Sequence, residues 1–231
     1  MRLDKFLSDC GFGTRSQIKK DIKAGLVTVN GDRARKPEQQ VDETADHICC
    51  RGQTCVYEKY VYYMLHKPAG VVSATKDASA RTVLDLLGDE KKEALFPVGR
   101  LDKDTEGLLI ITDDGALAHR LLSPSRHVDK EYECHLAYPI DEDQKKRLEQ
   151  GVDIGDKALT KPAVVCILDE KKITLTITEG RFHQVKRMLH AVGNEVCYLK
   201  RLRMGALTLD RELPTGNFRR LTQEEVELLS K

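Results

Sequence analysis

The 231-residue chain contains no tryptophan, and aromatic side chains make up only 5% of it. It has no C-x-x-C pair, and its seven cysteines are an odd number, several of them in apolar segments such as AVVCIL. Disulfide scaffolds and zinc ribbons need paired or regularly spaced cysteines, so this pattern favours reduced thiols. Cys49, Cys50 and Cys55 have no fourth ligand at a suitable spacing. We therefore predict that the protein binds no metal.

Long apolar runs are also missing from the sequence. No run approaches the length that crosses a bilayer, and we find no signal-peptide pattern. The chain also offers no Gly-rich dinucleotide-binding loop. We expect a soluble, cytoplasmic protein that makes no membrane contact and uses no cofactor.

Charge is abundant but unevenly distributed. Charged residues supply 32% of the chain and the net charge is only +1. Residues 1–37 nevertheless hold nine Lys and Arg against four Asp and Glu, and residues 180–220 hold nine against three. Two basic segments in a balanced chain suggest a polyanion bound at defined surfaces. A chance fluctuation in charge is the competing explanation.

The first 48 residues predict a small domain. Leu3, Phe6 and Leu7 indicate a short amphipathic helix, and Thr14 or Ser16 can cap a second helix that ends near Gly25. An Asn-Gly turn at residues 30–31 then joins two short strands, which is a strong hairpin signal. Residues 49–59 show no clear periodicity, so we interpret them as a connector and predict domains at 1–58 and 59–231.

This order of elements, RLDKFLSDCGFGTRSQIKKDIKAGLVTVNGDRARKPEQQV, resembles the small RNA-binding module shared with ribosomal protein S4. One departure is the segment DETADHI, where the module often carries Gly before Asp. The resemblance implies a domain that positions structured RNA through phosphate contacts, with little sequence readout. We assign its RNA-binding face to five cations: Arg2, Lys5, Arg15, Lys19 and Lys36.

The rest of the chain predicts an α+β domain. KEYECHLAY alternates as a half-buried strand, AVVCIL and KITLTIT are β-branched strands, and a helix follows TEGRFH. Many strands joined by turns favour a mixed, mostly antiparallel sheet flanked by helices. The predicted fold is thus a small N-terminal α/β domain followed by a larger α+β domain.

The segment GRLDKDTEGLLIITDDG concentrates chemistry in one loop. Asp102, Asp104 and Glu106 lie beside cations at the start of an apolar strand, Leu108 to Ile111. One interpretation is a solvated turn, and a second is a calcium loop, because three acidic residues occupy the first, third and fifth positions of an EF-hand. The strand that follows argues against calcium, since helices flank an EF-hand loop. The third interpretation is a catalytic carboxylate beside fixed cations.

A helix predicted near residues 183–192 has an apolar stripe and a polar face. The polar face carries His183, Lys186, Arg187 and His190, and a solvated surface is the usual fate of such a face. A zinc site on the two histidines is weak, because they lie seven residues apart without a suitable third ligand. The adjacent EGR turn and the later KRLRMG cluster concentrate positive charge near this helix.

Five motifs in this order are similar to those of the pseudouridine synthases that modify small-subunit (16S) ribosomal RNA. They are HKPAGVVSATKD, GRLDKDTEGLLIITDDG, HRLLSPSRHVDKEY, LTKPAVV and EGRFHQVKRMLHAVGNEV, within a similarity that covers residues 60–225. The N-terminal RNA module is the companion this family usually carries. The resemblance implies an isomerase that converts a uridine of ribosomal RNA to pseudouridine. Small-subunit assembly intermediates would be its substrate, and we expect a monomer.

Residue by residue, the resemblance implies that Asp102 is the essential catalytic aspartate. Tyr132 matches the tyrosine that contacts the target base, and Lys186 matches the basic residue that pairs with the aspartate. Leu199 matches the apolar residue that walls the pocket. We assign further substrate contacts to the basic residues around them: Arg100, Arg181, His183 and Arg187.

The chemistry agrees with these residue types. Isomerisation breaks the bond between the base and the ribose, turns the uracil, and rejoins it through ring carbon five. No redox step occurs. The target base must leave its stack, and a flat side chain such as Tyr132 suits a flipped base. Attack by Asp102 on the base, attack on the ribose and proton abstraction all remain open. The competing functions are large-subunit (23S) RNA modification and non-catalytic RNA binding in ribosome assembly.

Overall fold

The computed structural model describes residues 1–57, 59–88, 90 and 94–230. Backbone contacts divide the chain into two units, Met1–Lys59 and Tyr60–Lys231. The domain boundary predicted after residue 58 falls at a residue that lies outside the described part of the chain. No helix of the described segments is both long and apolar enough to span a bilayer.

The N-terminal unit places two helices with a small antiparallel sheet of strand order β2-β1-β3-β4. Its elements are α1 Leu3–Asp9, α2 Arg15–Ala24, β1 Val27–Val29, β2 Asp32–Arg33, β3 Ile48–Cys50 and β4 Gln53–Cys55. The Thr14 hydroxyl accepts a hydrogen bond from the Gln17 amide and caps α2, and Gly25 ends it in the left-handed conformation. The helix and hairpin predictions for this unit are therefore confirmed.

The connector predicted at residues 49–59 is wrong for most of its length. Residues 48–55 form a hairpin, β3 and β4, that extends the small sheet. Its turn consists of Arg51 and Gly52, which both have positive φ, at 52° and 78°. Cys50 and Cys55 are buried in the same apolar core as the helices. Two-residue hairpin turns prefer Asn or Asp before Gly, and this turn has Arg there. Gly52 alone therefore indicated the turn in the sequence.

The second unit is built on one large sheet. In chain order its elements are β5 Tyr62–Lys67, β6 Phe96–Pro97, β7 Glu106–Thr112, α3 Gly115–Leu122, β8 Lys130–Leu136, α4 Glu142–Gln150, β9 Val164–Asp169, β10 Lys172–Ile177, α5 Gln184–Ala191, β11 Val196–Met204, β12 Leu207–Thr208, β13 Phe218–Arg220 and α6 Gln223–Ser230. The main strand order is β13-β5-β7-β11-β8-β10-β9. Within the described residues β7 and β11 run parallel, and every other neighbouring strand pair is antiparallel. The predicted α+β class with a mostly antiparallel sheet is confirmed.

Strand β7 lies in the middle of the sheet and is buried on both sides. Leu109 and Ile111 belong to one apolar core, and Leu108 and Ile110 belong to the core on the opposite face. A strand covered on both faces reads as a continuous apolar run rather than an alternating one. This explains the run that follows the acidic loop, and it makes β7 a rigid support for that loop.

Two helices of the second unit have weak sequence signals. In α4 only Leu148 is buried, so the helix has no apolar stripe to detect, and its clearest local signal is the capping box of Asp141 and Gln144. Helix α6 is likewise short and acidic at its start. Neither helix was predicted, and neither contributes to the cavity described below.

We predict that Gly107→Ala lowers the free energy of unfolding by about 2 kcal/mol or more. Gly107 has a φ of 105°, and an added Cβ would lie 2.2 Å from the Arg201 carbonyl oxygen, where β7 and β11 pair. Because the obstacle is backbone, no side chain can move aside. Chemical denaturation measures the change.

Gly115→Ala is the matched control for this prediction. Gly115 is the first residue of α3, it has no positive φ, and an added Cβ meets open space. Alanine favours helix, so we expect equal or slightly higher stability. If both variants unfold at the same denaturant concentration as the parent, the close approach of β7 and β11 at Gly107 does not constrain the fold.

Candidate active site

The acidic loop lies between β6 and β7 and is fixed by a buried lysine. Lys67 is fully buried, and its ammonium donates hydrogen bonds to the carbonyl oxygens of Thr105 at 2.7 Å, Pro68 at 3.0 Å and Lys103 at 3.3 Å. Burial lowers the pKa of Lys67 to about 8, although the nearby carboxylates oppose this effect. The loop backbone therefore holds Asp102 in a defined position.

Helix α5 brings two basic side chains to this loop. Lys186 Nζ lies 3.2 Å from Asp102 Oδ2 and 2.6 Å from Asp104 Oδ1. His183 Nε2 lies 3.6 Å from the other oxygen of Asp102. The Asp102 side chain is 22% exposed, whereas that of Asp104 is 73% exposed. Asp102 is thus the inner carboxylate, with a basic group beside each of its oxygens.

The hydrogen bonds of this cluster favour the charged forms of Asp104 and Lys186. The hydrogen bond from Lys186 holds the pKa of Asp104 below its usual value. Burial alone lowers the pKa of Lys186, but hydrogen bonds to Asp104 and Asp102 outweigh that effect, so its pKa is raised. Lys186 consequently stays protonated at neutral pH. The structure gives Lys186 a second carboxylate partner, Asp104, which the sequence analysis did not anticipate.

A cavity of about 720 Å3 opens beside Asp102. Tyr132 and Leu199 line it and are both buried, on the paired strands β8 and β11. The cavity is of the size that holds a small organic ligand. A carboxylate, a neighbouring ammonium and a flat aromatic ring therefore share one chamber.

The other predicted substrate contacts divide into two groups. Arg100, Arg181 and His183 line the cavity. Arg187 does not line it, because its guanidinium is hydrogen-bonded to Asp156 at 2.6 Å and to carbonyl oxygens of Phe182 and Ile154. The structure thus places Arg187 away from the chamber that the sequence analysis assigned to it.

Several residues that line the cavity were not predicted from the sequence, among them Phe182, Lys130 and Arg201. Phe182 is 75% exposed and its ring stacks on His183 at 3.8 Å between centroids. Lys130 and Arg201 are buried and line the chamber. The alternating pattern of β8 puts Lys130 on the same face as Tyr132, and this signal could have identified it.

The calcium interpretation of the acidic loop has no structural counterpart. Glu106, the third candidate ligand, belongs to β7 and accepts a hydrogen bond from the Tyr198 hydroxyl at 2.9 Å. Within the described segments no three His, Cys, Asp or Glu side chains are grouped to hold a metal ion.

The cations assigned to the N-terminal unit are all exposed. Arg2 forms an ion pair with the buried Asp4 at 3.0 Å, and the charge of Arg15 contributes to the lowered pKa of Asp4 after that hydrogen bond. The amide of Asp4 donates to the Pro37 carbonyl, so Lys36 also lies near the start of α1. Part of the predicted basic surface is therefore continuous.

Comparison with known proteins agrees with this geometry. The family model described as RNA pseudouridylate synthase matches residues 61–191, and the S4 domain model matches residues 1–47. The chain belongs to the RNA pseudouridylate synthase family. The resemblance stated from the motifs is confirmed, and the protein is an isomerase that acts on RNA.

Relatives match the synthase over its whole length. It is 48% identical to an uncharacterized RNA pseudouridine synthase, YtzG, of Bacillus subtilis, covering 100% of this chain and 99% of the relative. It is 43% identical to the ribosomal small subunit pseudouridine synthase A of Vibrio vulnificus, with 100% of each chain covered. A crystal structure of a pseudouridylate synthase shares 39% identity, covers 99% of each chain and has a TM-score of 0.71.

Proposed function

We propose that the synthase converts a uridine of small-subunit ribosomal RNA to pseudouridine. Full-length relatives at 40–43% identity, including the protein of Escherichia coli, are named ribosomal small subunit pseudouridine synthase A, which supports this substrate. The single observation that carries the reaction is Asp102, which lies beside Lys186 and His183 at the wall of a cavity lined by Tyr132. Because ribosomal RNA is the proposed substrate, we expect the synthase to be cytoplasmic.

In this proposal the residues of the cavity have distinct roles. The Asp102 carboxylate attacks the substrate or removes a proton from it, and Lys186 orients that carboxylate. Tyr132 contacts the flipped uracil, and Leu199 forms an apolar wall. Arg100, Arg181 and His183 contact the target nucleotide at the cavity. Arg187 is left with at most an outer contact to RNA.

The substrate proposal is tested by supplying separate RNAs to the purified protein. Small-subunit transcripts, large-subunit transcripts and protein-bearing small-subunit assembly intermediates are incubated and then mapped for pseudouridine. We expect modification at one position of small-subunit RNA, with the assembly intermediate as the better substrate. Modification of large-subunit RNA alone would contradict this proposal and would mean that large-subunit RNA is the substrate. We also expect the active protein to elute as a monomer in size-exclusion chromatography with light scattering.

We infer that the N-terminal unit binds RNA through its phosphates. Arg15 and Lys19 lie one turn apart on α2 and are exposed. Replacing both by glutamine should weaken RNA binding at all sequences and reduce the slope of log affinity against log salt by about two. Filter binding over a range of salt concentrations measures this slope.

Lys146→Gln is the control for this test. It removes an exposed cation from α4 in the other unit, and we expect at most a small effect. An unchanged salt slope in the double variant would mean that α2 does not contact the RNA. Substitution is preferable to removing residues 1–48, because that cut would divide β3 and leave the buried Cys55 without its core.

A further inference from the structure

Two buried cations line the cavity. Lys130 is 8% exposed on β8, and Arg201 is 3% exposed on β11, where it is directly opposite Tyr132. Both side chains line the chamber that contains Asp102. Burial of a cation is costly unless an opposite charge or several hydrogen-bond acceptors compensate it.

Neither cation has a carboxylate partner within 4 Å among the described residues. Lys130 Nζ donates to the Val128 carbonyl oxygen at 2.8 Å, and Arg201 Nε donates to the Leu108 carbonyl oxygen at 2.8 Å. Among the residues that the structure describes, Arg201 Nη2 has no hydrogen-bond partner. The two cations are thus held by backbone carbonyls, with donor capacity left over.

The hydroxyl of Thr105 is also buried without a hydrogen-bond partner among the described residues. In the described part of the chain, Thr105 Oγ1 and Arg201 Nη2 are the two buried side-chain polar atoms without a hydrogen-bond partner. Both residues line the Asp102 cavity. Buried polar atoms are nearly always satisfied, so a pair of exceptions in one chamber indicates that a ligand supplies the missing acceptor.

The electrostatic environment favours the same conclusion. Burial and, to a smaller extent, the charge of Arg201 lower the pKa of Lys130 to about 8, whereas Asp129 opposes the effect. A negative charge that enters the chamber would offset both the burial and the mutual repulsion of the two cations. The chamber is therefore adapted to an anion or to a group that becomes one.

The reaction produces such an anion. When the bond between C1′ and N1 breaks, both bonding electrons leave with the uracil, and its negative charge spreads over the two carbonyl oxygens. If Asp102 acts on the ribose, its carboxylate bonds to the electron-poor C1′ or removes a proton from the neighbouring carbon. When C5 of the uracil attacks C1′ with an electron pair, the bond from C1′ to Asp102 breaks, or the removed proton returns to the ribose. C5 then loses its proton and N1 gains one, so the product is an isomer.

We propose that Lys130 and Arg201, together with the Thr105 hydroxyl, bind the carbonyl oxygens of the detached uracil and stabilise its negative charge. This inference rests on the proposed function of the Asp102 cavity. Donors that are fixed before the charge develops stabilise a transition state most effectively. They would also keep the free base in the chamber while it turns.

A phosphate is the other source of acceptor oxygens, and the position of the cations favours the base. Phosphates stay on the RNA backbone at the opening, where the exposed Arg100 and Lys103 line the cavity. Lys130 and Arg201 are buried, on the same paired strands as Tyr132 and Leu199. A flipped base reaches these buried cations, whereas a charged backbone would have to lose its hydration to do so.

The test compares the reaction rate with RNA binding. In single-turnover reactions with the synthase saturating over labelled RNA, we expect Lys130→Met to lower the rate about 100-fold or more, because one donor to a developing anion is lost. RNA affinity should stay within about 2-fold, since no phosphate contact is removed. Lys130→Arg and Arg201→Lys keep the charge. They should retain more activity than Lys130→Met and Arg201→Met, respectively. Unfolding curves confirm that each variant is folded.

Lys200→Met is the matched control. Lys200 is the neighbour of Arg201 on β11 and does not line the cavity, so we expect the parent rate. An unchanged saturating rate in Lys130→Met would overturn the proposal. A weaker affinity with a shallower salt dependence would also overturn it and assign the cations to a phosphate.

A ligand test gives an independent readout. Barbiturate is a pyrimidine that carries delocalised negative charge on its carbonyl oxygens at neutral pH, whereas uracil is neutral. We expect barbiturate to inhibit the parent synthase more strongly than uracil does, and Lys130→Met to lose this preference. Equal inhibition of the parent by both compounds would contradict the proposal. All assays use the ribosomal RNA that the parent modifies, so inactivity of the parent on every RNA would instead refute the proposed function.

Discussion

Asp102→Asn is expected to abolish pseudouridine formation while RNA binding stays within a few-fold of the parent. The substitution keeps the shape of the side chain, but it removes the charge that the proposed attack or proton abstraction requires. A loss of roughly four orders of magnitude in single-turnover rate is in the range seen when an essential catalytic carboxylate is removed. Mapping of pseudouridine in the product RNA measures the rate, and filter binding measures the affinity.

Asp104→Asn is the matched control, since both residues contact Lys186. Asp104 is the closer partner of that ammonium, at 2.6 Å, but it is 73% exposed and lies outside the cavity lining. We expect a clearly milder loss, caused by a less well-fixed lysine. Full activity of pure Asp102→Asn, or an equal loss in both variants, would refute the distinct role of Asp102.

Lys186→Met is the second substitution with a large expected effect. It leaves Asp102 and Asp104 in one loop without the cation that lies between them. We expect the saturating single-turnover rate to fall by about 100-fold, because the carboxylate loses its orientation and its electrostatic support.

The saturating rate and the RNA affinity separate this role from phosphate binding. A lysine that binds phosphate would lower the affinity and the salt dependence and leave the saturating rate unchanged. Lys186→Arg keeps the charge and should retain most of the rate, although its forked geometry differs. If Lys186→Met reacts as fast as the parent at saturating RNA, Lys186 has no part in the active site.

Local sequence patterns predicted the elements that have strong local signals. Thr14 and Gly25 bound α2, and the Asn-Gly turn joins β1 to β2, because capping and turn residues act within a few positions. The stripe of α5 and the alternation of β8 follow from one buried face each. Helix α4 escaped prediction because a helix with one buried residue has no detectable period.

The candidate site depended on contacts that no local pattern contains. Lys186 and Asp104 are 82 residues apart in the chain, and their ion pair follows only from the packing of α5 against the loop. The motif resemblance, rather than periodicity, pointed to Lys186. Arg201 was hidden among the cations of KRLRMG, because an irregular register between residues 201 and 203 breaks the alternation that would show which of them is buried.

The burial of the cations separates two kinds of positive charge in this protein. Exposed cations on α2 and at the cavity opening suit the phosphates of RNA, which can be bound without leaving water. Lys186, Lys130 and Arg201 are held in or near the chamber, where each is positioned by carboxylates or backbone carbonyls. Salt should therefore affect the RNA affinity far more than it affects the rate at which bound RNA is modified.

The most direct test of the account is the release of tritium from small-subunit ribosomal RNA labelled at C5 of its uridines. Forming the new bond through C5 displaces the hydrogen there, so each modified uridine releases one label to water. We predict release that stops at one label per RNA, requires no added cofactor and is absent with Asp102→Asn. No release by the pure, folded parent protein from any ribosomal RNA or assembly intermediate would contradict the account.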